Sequence, residues 1–319
     1  MEPVRWGLLS TARINEAIID GASGTDTTEI VAVASRDQAR ADAYAAEHGL
    51  ARAHGSYEAL LEDDDVEVVY NSLPNSLHVE WSIRALAAGK HVLCEKPMDK
   101  RPDAVARAFD AADEAGRLLM EGFMYRHHPQ TKKLAELVAG GAIGELRQLH
   151  TRFSFMLDNP ADVRMLAELD GGALMDLGCY CISMQRLVAG DPELVVGRQR
   201  IGGDGVDVRF AAVLEFAGGV LGEFHCGFDL PAANGLEAIG STGVAVVHDP
   251  VRCRDPHVEL NGERIDVEDV DRYCLQVANF SAAVRGEAEP LLGREDALAQ
   301  SRTIAALYRS AESGKVETP

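Results

Sequence analysis

A chain of 319 residues, 46% hydrophobic and 26% charged, can bury the cores of two domains, and no apolar run approaches the length of a membrane span. The formal net charge of -20 excludes nucleic acid as the main partner, because phosphate contacts need a basic stripe. The six cysteines lack Cys-x-x-Cys spacing and no histidine or carboxylate set has ligand spacing, so reduced thiols, a cytoplasmic location and no metal are expected.

Residues 4–9 read as a strand, which also argues against a signal peptide at the N-terminus. A helix over 12–21, a strand over 30–35 and an amphipathic helix over 37–48 with Asp37 as its cap follow. Ser56 caps a short helix over 56–61. Residues 66–72 form a buried strand, 78–88 a helix closed by Gly89, 90–94 a strand, 102–115 a helix and 118–122 a strand. Strands alternating with helices give parallel βαβ units, so residues 1–124 are expected to be a doubly wound α/β Rossmann domain.

The pattern then changes. A helix over 128–139, a long strand over 145–156 and a glycine-rich helix near 171–189 precede strands over 193–202, 206–217, 219–228 and 235–240, and the tail at 294–313 is helical. Residues 125–319 therefore read as an α+β substrate-binding and oligomerisation domain on a large, mostly antiparallel open sheet, whose tail helix could pack back on the first domain. One layer of helices covers only one sheet face. The other face, with alternating apolar residues, points to a homodimer or homotetramer.

Five stretches carry chemistry. Gly7-Leu8-Leu9-Ser10-Thr11-Ala12-Arg13-Ile14 spans a first strand-to-helix turn, where small residues let backbone N–H groups approach a pyrophosphate. Ser35 and Arg36 end the second strand and Arg40 lies one turn further; an arginine here favours a 2′-phosphate, and so NADP over NAD. Leu73-Pro74-Asn75 and His78 follow the third strand, with Asn75 and His78 as hydrogen-bonding candidates beside a cofactor. As an acid or base, His78 reads instead as a first-turn residue of its helix. Cys94-Glu95-Lys96-Pro97-Met98 stops the fourth strand at a proline and sets Lys96 at its carboxyl end, where open α/β sheets bind ligands; a solvated turn lysine is the alternative. In Gly171–Tyr180, Asp176 and Tyr180 lie four apart, on one face of a regular helix. They line a cavity, or are a structural carboxylate and a core aromatic.

The Gly7–Ile14 turn, the Glu95-Lys96-Pro97 turn, Glu121-Gly122-Phe123-Met124-Tyr125-Arg126 and Gly171–Tyr180 occur in the order and spacing of the Gfo/Idh/MocA oxidoreductases, which the chain resembles over nearly its whole length. Asp176-x-x-x-Tyr180 resembles the branch holding NADP-dependent xylose dehydrogenases, dimeric dihydrodiol dehydrogenases and ketosugar reductases. The resemblance implies hydride transfer between nicotinamide and a carbinol or carbonyl carbon of a sugar or cyclic polyol. Lys96 and Tyr180 would be the proton-transfer and substrate-orienting groups, with Asp176 supporting, while Arg164 and Glu95 would lie near the cofactor. The chain departs from the family pattern in Ser10 and Ala12 where glycines are common, in Val163-Arg164 for the usual Asn-Trp-Arg or Asn-Ile-Arg, and in Asp170 at a third glycine position. The family also contains catalytically silent NADP-binding regulators and sugar–sugar oxidoreductases that never release their cofactor; the former have no need of Lys96, Asp176 and Tyr180 together.

Overall fold

The computed structural model describes residues 2–159, 161–203 and 205–319. The chain divides into two compact units. The first holds the chain up to Asp99, Asp103–Met124 and Val270–Ala297; the second holds Lys100–Pro102, Tyr125–Asp269 and Leu298–Pro319.

In the first unit, strands β1 (Val4–Leu8), β2 (Thr28–Ala34), β3 (Arg52–His54), β4 (Val68–Asn71), β5 (His91–Cys94) and β6 (Leu119–Glu121) form one sheet in the order β3-β2-β1-β4-β5-β6. Every pair is parallel. Helices α1 (Asn15–Ser23), α2 (Gln38–His48), α3 (Tyr57–Leu61), α4 (His78–Ala87) and α5 (Pro102–Ala115) connect the strands. Trp6, Leu8, Val33, Val68, Tyr70 and Leu93 are fully buried between the layers, as strands covered on both faces require. Asp37 and Ser56 accept the backbone N–H groups of Arg40 and Ala59, as helix caps do. The sequence pattern missed β3, a three-residue edge strand, and started α1 early. Residues 12–17 bond i to i+3, a tightened turn that delays the regular helix to Asn15.

The larger correction concerns residues 270–297, assigned from sequence to the second domain. They group with the first unit and include a helix, α8 (Arg272–Val284), that was not foreseen. Its signals were present: Asp271 caps it by accepting the Cys274 N–H at 2.8 Å, and Tyr273, Val277 and Phe280 form its buried stripe. α8 lies against α1 because Gly21 leaves room; a Cβ there would stand 2.8 Å from the Cys274 nitrogen. Trp6 locks the contact, its Nε1 donating to Ser281 Oγ at 3.0 Å and Phe280 packing edge-on at 5.8 Å.

In the second unit, β7 (Leu146–Met156), β8 (Pro192–Ile201), β9 (Asp207–Phe216), β10 (Val220–Gly227), β11 (Asp229–Gly240), β12 (Val244–Val247), β13 (His257–Leu260) and β14 (Glu263–Asp266) form a sheet ordered β14-β13-β12-β11-β7-β10-β9-β8. All pairs are antiparallel except β10 with β7. Strands β12 to β14 were not foreseen: each is four residues long, and β14 carries three charged residues, a composition suited to an edge rather than to a hydrophobic run. Helix α6 (Pro129–Ala139) lies against β12 and β13, and α7 (Cys179–Ala189) against β7 and β10. Along β9, Phe210, Ala212, Leu214 and Phe216 point inward while Arg209, Ala211, Val213 and Glu215 face outward. The tail helix α9 (Arg294–Ser313) departs from expectation in that only its first residues group with the first unit. From Leu298 on it belongs to the second, where Gln300 donates to the Cys179 carbonyl at 2.7 Å and Ser310 accepts the Gly197 N–H at 3.0 Å.

Replacing Trp6 by Ala removes a buried indole and its hydrogen bond to Ser281 together. Urea denaturation is expected to show a loss of about 3–5 kcal/mol, the scale of a large core truncation. A loss below about 1 kcal/mol would mean that α8 is held independently of Trp6.

Candidate active site

The first unit gathers its candidate groups at the carboxyl ends of its strands. Gly7 is small for a reason other than phosphate approach, since a Cβ there would meet Val66 Cγ1 at 3.0 Å and Leu60 Cδ2 at 3.1 Å. The turn itself is held by Ser10, a buried residue standing where the family has a glycine. Its hydroxyl lies 2.7 Å from Ser72 Oγ and accepts the Ala12 N–H at 3.0 Å. Asn15 is fully buried and donates to the Ser10 carbonyl at 2.6 Å. Asn15 and Ser72 went unmarked in the sequence; a buried polar residue in an apolar turn is the signal for them. Around this frame Thr11, Ala12 and Ile14 are half-buried and Arg13 is exposed.

At the end of β2, Ser35 is buried and its hydroxyl accepts the Asp37 N–H at 3.3 Å. The Asp37 carboxylate accepts the Arg40 N–H at 2.8 Å and so caps α2. The exposed guanidinium groups of Arg36 and Arg40 follow. A strand end with a hydroxyl and two cations, its carboxylate occupied as a cap, fits a 2′-phosphate better than a bare ribose diol.

Both ring nitrogens of His78 face backbone carbonyls of the first unit. It is buried, with Nδ1 2.9 Å from the Pro97 carbonyl and Nε2 2.7 Å from the Leu73 carbonyl, and burial pushes its pKa below the usual histidine range. It is a clamp between the loop after β4 and the turn after β5, and as a neutral ring it donates its one N–H to one of the two carbonyls while its other nitrogen lies against the second. Leu73 is buried in that loop, and Pro74 and Asn75 are half-buried.

The turn after β5 contains a cis Lys96-Pro97 peptide bond. Glu95 accepts the Tyr70 O–H at 2.6 Å through one oxygen and the Lys96 N–H at 3.2 Å through the other. Its carboxylate is thus built into the turn. Met98 donates its N–H to the buried Glu121 at 2.6 Å. Tyr273 of α8 packs nearby, and burial together with the Glu95 charge pushes its phenol up to about 12. Lys96 is half-buried at the strand end. Tyr70 and Tyr273 were overlooked, and Glu121 entered only as part of a longer segment. Tyr70 and Glu121 carry polar tips within buried strands and need partners there.

In the second unit, Leu174–Gly178 is a π-helix that runs into α7. This wide turn intervenes between Asp176 and Tyr180, so the shared face expected of a regular helix does not hold; π-turns are frequent at functional sites. Asp176 accepts Nε–H of Arg164 at 2.8 Å, and Asp162 accepts from the same guanidinium at 3.2 Å. The charges of Asp176 and Asp162 raise the Arg164 pKa further. Arg164 therefore orients Asp176. Tyr180 is buried, with its ring edge-on to Tyr125 at 5.9 Å and to Phe153 at 5.6 Å. Tyr125 in turn donates to Ser183 Oγ at 2.7 Å.

Asp170, at a family glycine position, has φ 54 and pairs with Lys100 at 2.7 Å. That left-handed backbone is one glycine enters freely and aspartate tolerates better than most residues, which accounts for the departure. Among the described residues no cluster of three or more His, Cys, Asp or Glu is arranged to hold a metal ion, and no helix is long and apolar enough to cross a membrane.

Comparison with known proteins follows the same division. Residues 5–123 match the oxidoreductase family with an NAD-binding Rossmann fold, and residues 131–246 match the GFO/IDH/MocA C-terminal domain. The chain is 39% identical to D-xylose 1-dehydrogenase (NADP(+)) 2 of Haloferax volcanii over 97% of its own length and 98% of that protein's. A 3-ketoreductase from Actinomadura kijaniata, solved in complex with NADP and TDP-benzene, superposes with a TM-score of 0.91 at 34% identity, covering 97% of this chain and 98% of that one. An aldose-aldose oxidoreductase from Caulobacter crescentus, complexed with glycerol, gives 0.92 at 25% identity over 99% and 100% of the two chains. With a parallel nucleotide-binding sheet, an open second sheet and relatives matched end to end, the chain belongs to the GFO/IDH/MocA family of oxidoreductases.

Proposed function

We propose that this protein is an NADP-dependent dehydrogenase or reductase moving a hydride between nicotinamide and a carbinol or carbonyl carbon of a sugar or cyclic polyol. The observation that carries it is the turn at the end of β5, where Glu95, Glu121 and His78 fix the backbone on both sides of Lys96. A lysine so presented is a proton-transfer group rather than a solvated side chain. The full-length likeness to a xylose dehydrogenase and a ketosugar reductase supports the substrate class.

When bound, the nicotinamide supplies the redox chemistry. The Ser10–Ile14 turn, Leu73-Pro74-Asn75, and Ser35 with Arg36 and Arg40 would hold the dinucleotide. Oxidation of an alcohol also releases the hydroxyl proton, and Lys96 and Tyr180 are the groups to take it or orient its donor. Asp176, held in place by Arg164, accepts a substrate hydroxyl. A carboxyl group and a phenol suit an uncharged polyol, and the net charge of -20 slows the approach of anions.

Lys96→Ala is expected to lower kcat by roughly a hundredfold or more with little change in NADP(H) affinity. Tyr180→Phe keeps the ring among Tyr125 and Phe153, so kcat should fall while Tm holds. Steady-state kinetics on a panel of aldoses, ketosugars and trans-diols tests both. Near wild-type kcat in the lysine variant, or a preference for sugar acids or phosphates, would reject the reading. Reduced-nicotinamide absorbance that survives purification and exchanges with no added nucleotide would favour a non-dissociating sugar–sugar oxidoreductase.

Arg36→Ala should weaken NADP(H) by about 1.5–3 kcal/mol, the worth of a charge-assisted hydrogen bond, while NAD(H) binding barely moves. Titration with both nucleotides reads this directly, and tighter NAD than NADP binding in the unaltered protein would overturn the cofactor assignment.

We also propose a cytoplasmic homodimer or homotetramer joined through the outer face of the second sheet. All six cysteines are free thiols, as a reducing compartment allows. On that face Val213 and Leu221 are exposed beside His150, which lies 3.6 Å from Glu223 and 3.3 Å from Glu237. Light scattering should give a multiple of 34.3 kDa. A monomer mass at micromolar concentration would reject the assembly.

A further inference from the structure

Asp207 begins β9 and is buried, yet it carries no role in the site as described. Its two oxygens each have one partner. One accepts the N–H of Leu174, the first residue of the π-helix, at 2.7 Å, and the other accepts the O–H of Tyr308 from α9 at 2.9 Å. The backbone is shaped around this carboxylate. Gly172 takes φ 124, and a Cβ there would collide with Asp207 Oδ1, so only glycine lets the chain pass. Asp207 thereby anchors the start of the turn on which Asp176 sits, two residues beyond Leu174.

We infer that ionised Asp207 is a positioning residue, holding the π-turn so that Asp176 and Tyr180 keep their reactive placement. This rests on the reading of those two residues given above. A carboxylate accepts through both oxygens; once protonated, one oxygen carries a hydrogen and meets a donor. Protonation therefore turns the charge-assisted bond to the Leu174 N–H into a weaker neutral one and reverses the Tyr308 bond, the acid O–H donating to the Tyr308 hydroxyl oxygen. Burial pushes the Asp207 pKa up to about 6, against the Leu174 N–H, the Tyr308 hydroxyl and the Lys100 charge, which favour the anion. The groups facing the pair are Tyr308; Lys100, whose ammonium lies 5.9 Å from the Tyr308 ring centre and pairs with Asp170; and the buried thiol of Cys226 on β10. A cavity of about 360 Å³, lined also by Arg309 and Glu312, opens on Asp207 and gives protons access to it. Because the folded chain binds this proton more tightly than the unfolded one, ionising Asp207 works against the fold as pH rises towards about 6. The charge is retained at a cost in stability, which a purely structural anchor would not require.

The test is the pH profile of kcat in the full-length enzyme with NADP(H) and its best substrate from the panel. The unaltered enzyme should lose activity as pH falls through about 6. Asp207→Asn, with one acceptor for Leu174 and one donor, reproduces the protonated acid and cannot titrate in this range, so it should show a lowered kcat at neutral pH, lose the acid limb, and show no drop in Tm. Tyr308→Phe removes a donor to the anion and should move the limb to higher pH. Asp207→Ala should lower kcat by on the order of tenfold to a hundredfold, as small misplacements do, with NADP(H) affinity little changed. An acid limb unaltered in Asp207→Asn and in Tyr308→Phe, or no limb in the unaltered enzyme, overturns the inference. Tyr180→Phe assayed in parallel separates the two failures. If it too keeps full kcat, the underlying site reading has fallen and this inference with it. If it is impaired while the Asp207 and Tyr308 variants behave as the unaltered enzyme, only the role of Asp207 is rejected.

Discussion

The presentation of Lys96 depends on carboxylates that are buried or half-buried with their partners in place. Proline at 97 has no N–H to donate, so the turn cannot hold itself by a backbone ladder alone. Glu95 supplies acceptors for Tyr70 and the Lys96 N–H, and Glu121 supplies one for the Met98 N–H. His78 approaches the Pro97 carbonyl from below. Leaving any of these groups buried and unpartnered would cost about 1–3 kcal/mol, more for a charge. The turn is therefore rigid where the lysine leaves it, which is the condition for a side chain to transfer protons at a fixed distance.

The second unit solves the same problem differently. The segment that carries Asp176 is a π-turn, a widened helix that gives up regular i to i+4 bonding. Such a turn needs external support. Arg164 holds Asp176 from one side through its Nε, and Asp207 holds the turn's first N–H from the other. Tyr180 is fixed by edge-on packing to Tyr125 and Phe153, an arrangement worth more than area burial alone. In both units charged groups set the backbone, and the backbone sets the candidate side chain.

The end of β2 illustrates how a small local choice bears on the cofactor. Had Asp37 turned its carboxylate outward, it would favour a ribose diol. Because that carboxylate caps α2, the exposed charge left at the strand end is that of Arg36 and Arg40. The helix cap and the preference for a 2′-phosphate are thus two consequences of one hydrogen bond.

By itself the sequence determined the alternation of strand and helix up to residue 124, the caps at Asp37 and Ser56, the place of Lys96 at a strand end, and the long strands of the second sheet. All of these rest on side-chain periodicity or on neighbours a few residues apart. Only the tertiary structure decided that α8 joins the first unit, that His78 is a clamp, that Glu95 belongs to its own turn, that Arg164 serves Asp176, and that a π-turn separates Asp176 from Tyr180. It also brought in Asp207 and Tyr308, which lie 33 and 134 residues from Leu174 in the chain. A buried carboxylate declares that it needs partners, but periodicity does not say which. The partner is chosen by where distant segments can approach closely enough to share a proton, and that is settled when the sheets and helices pack.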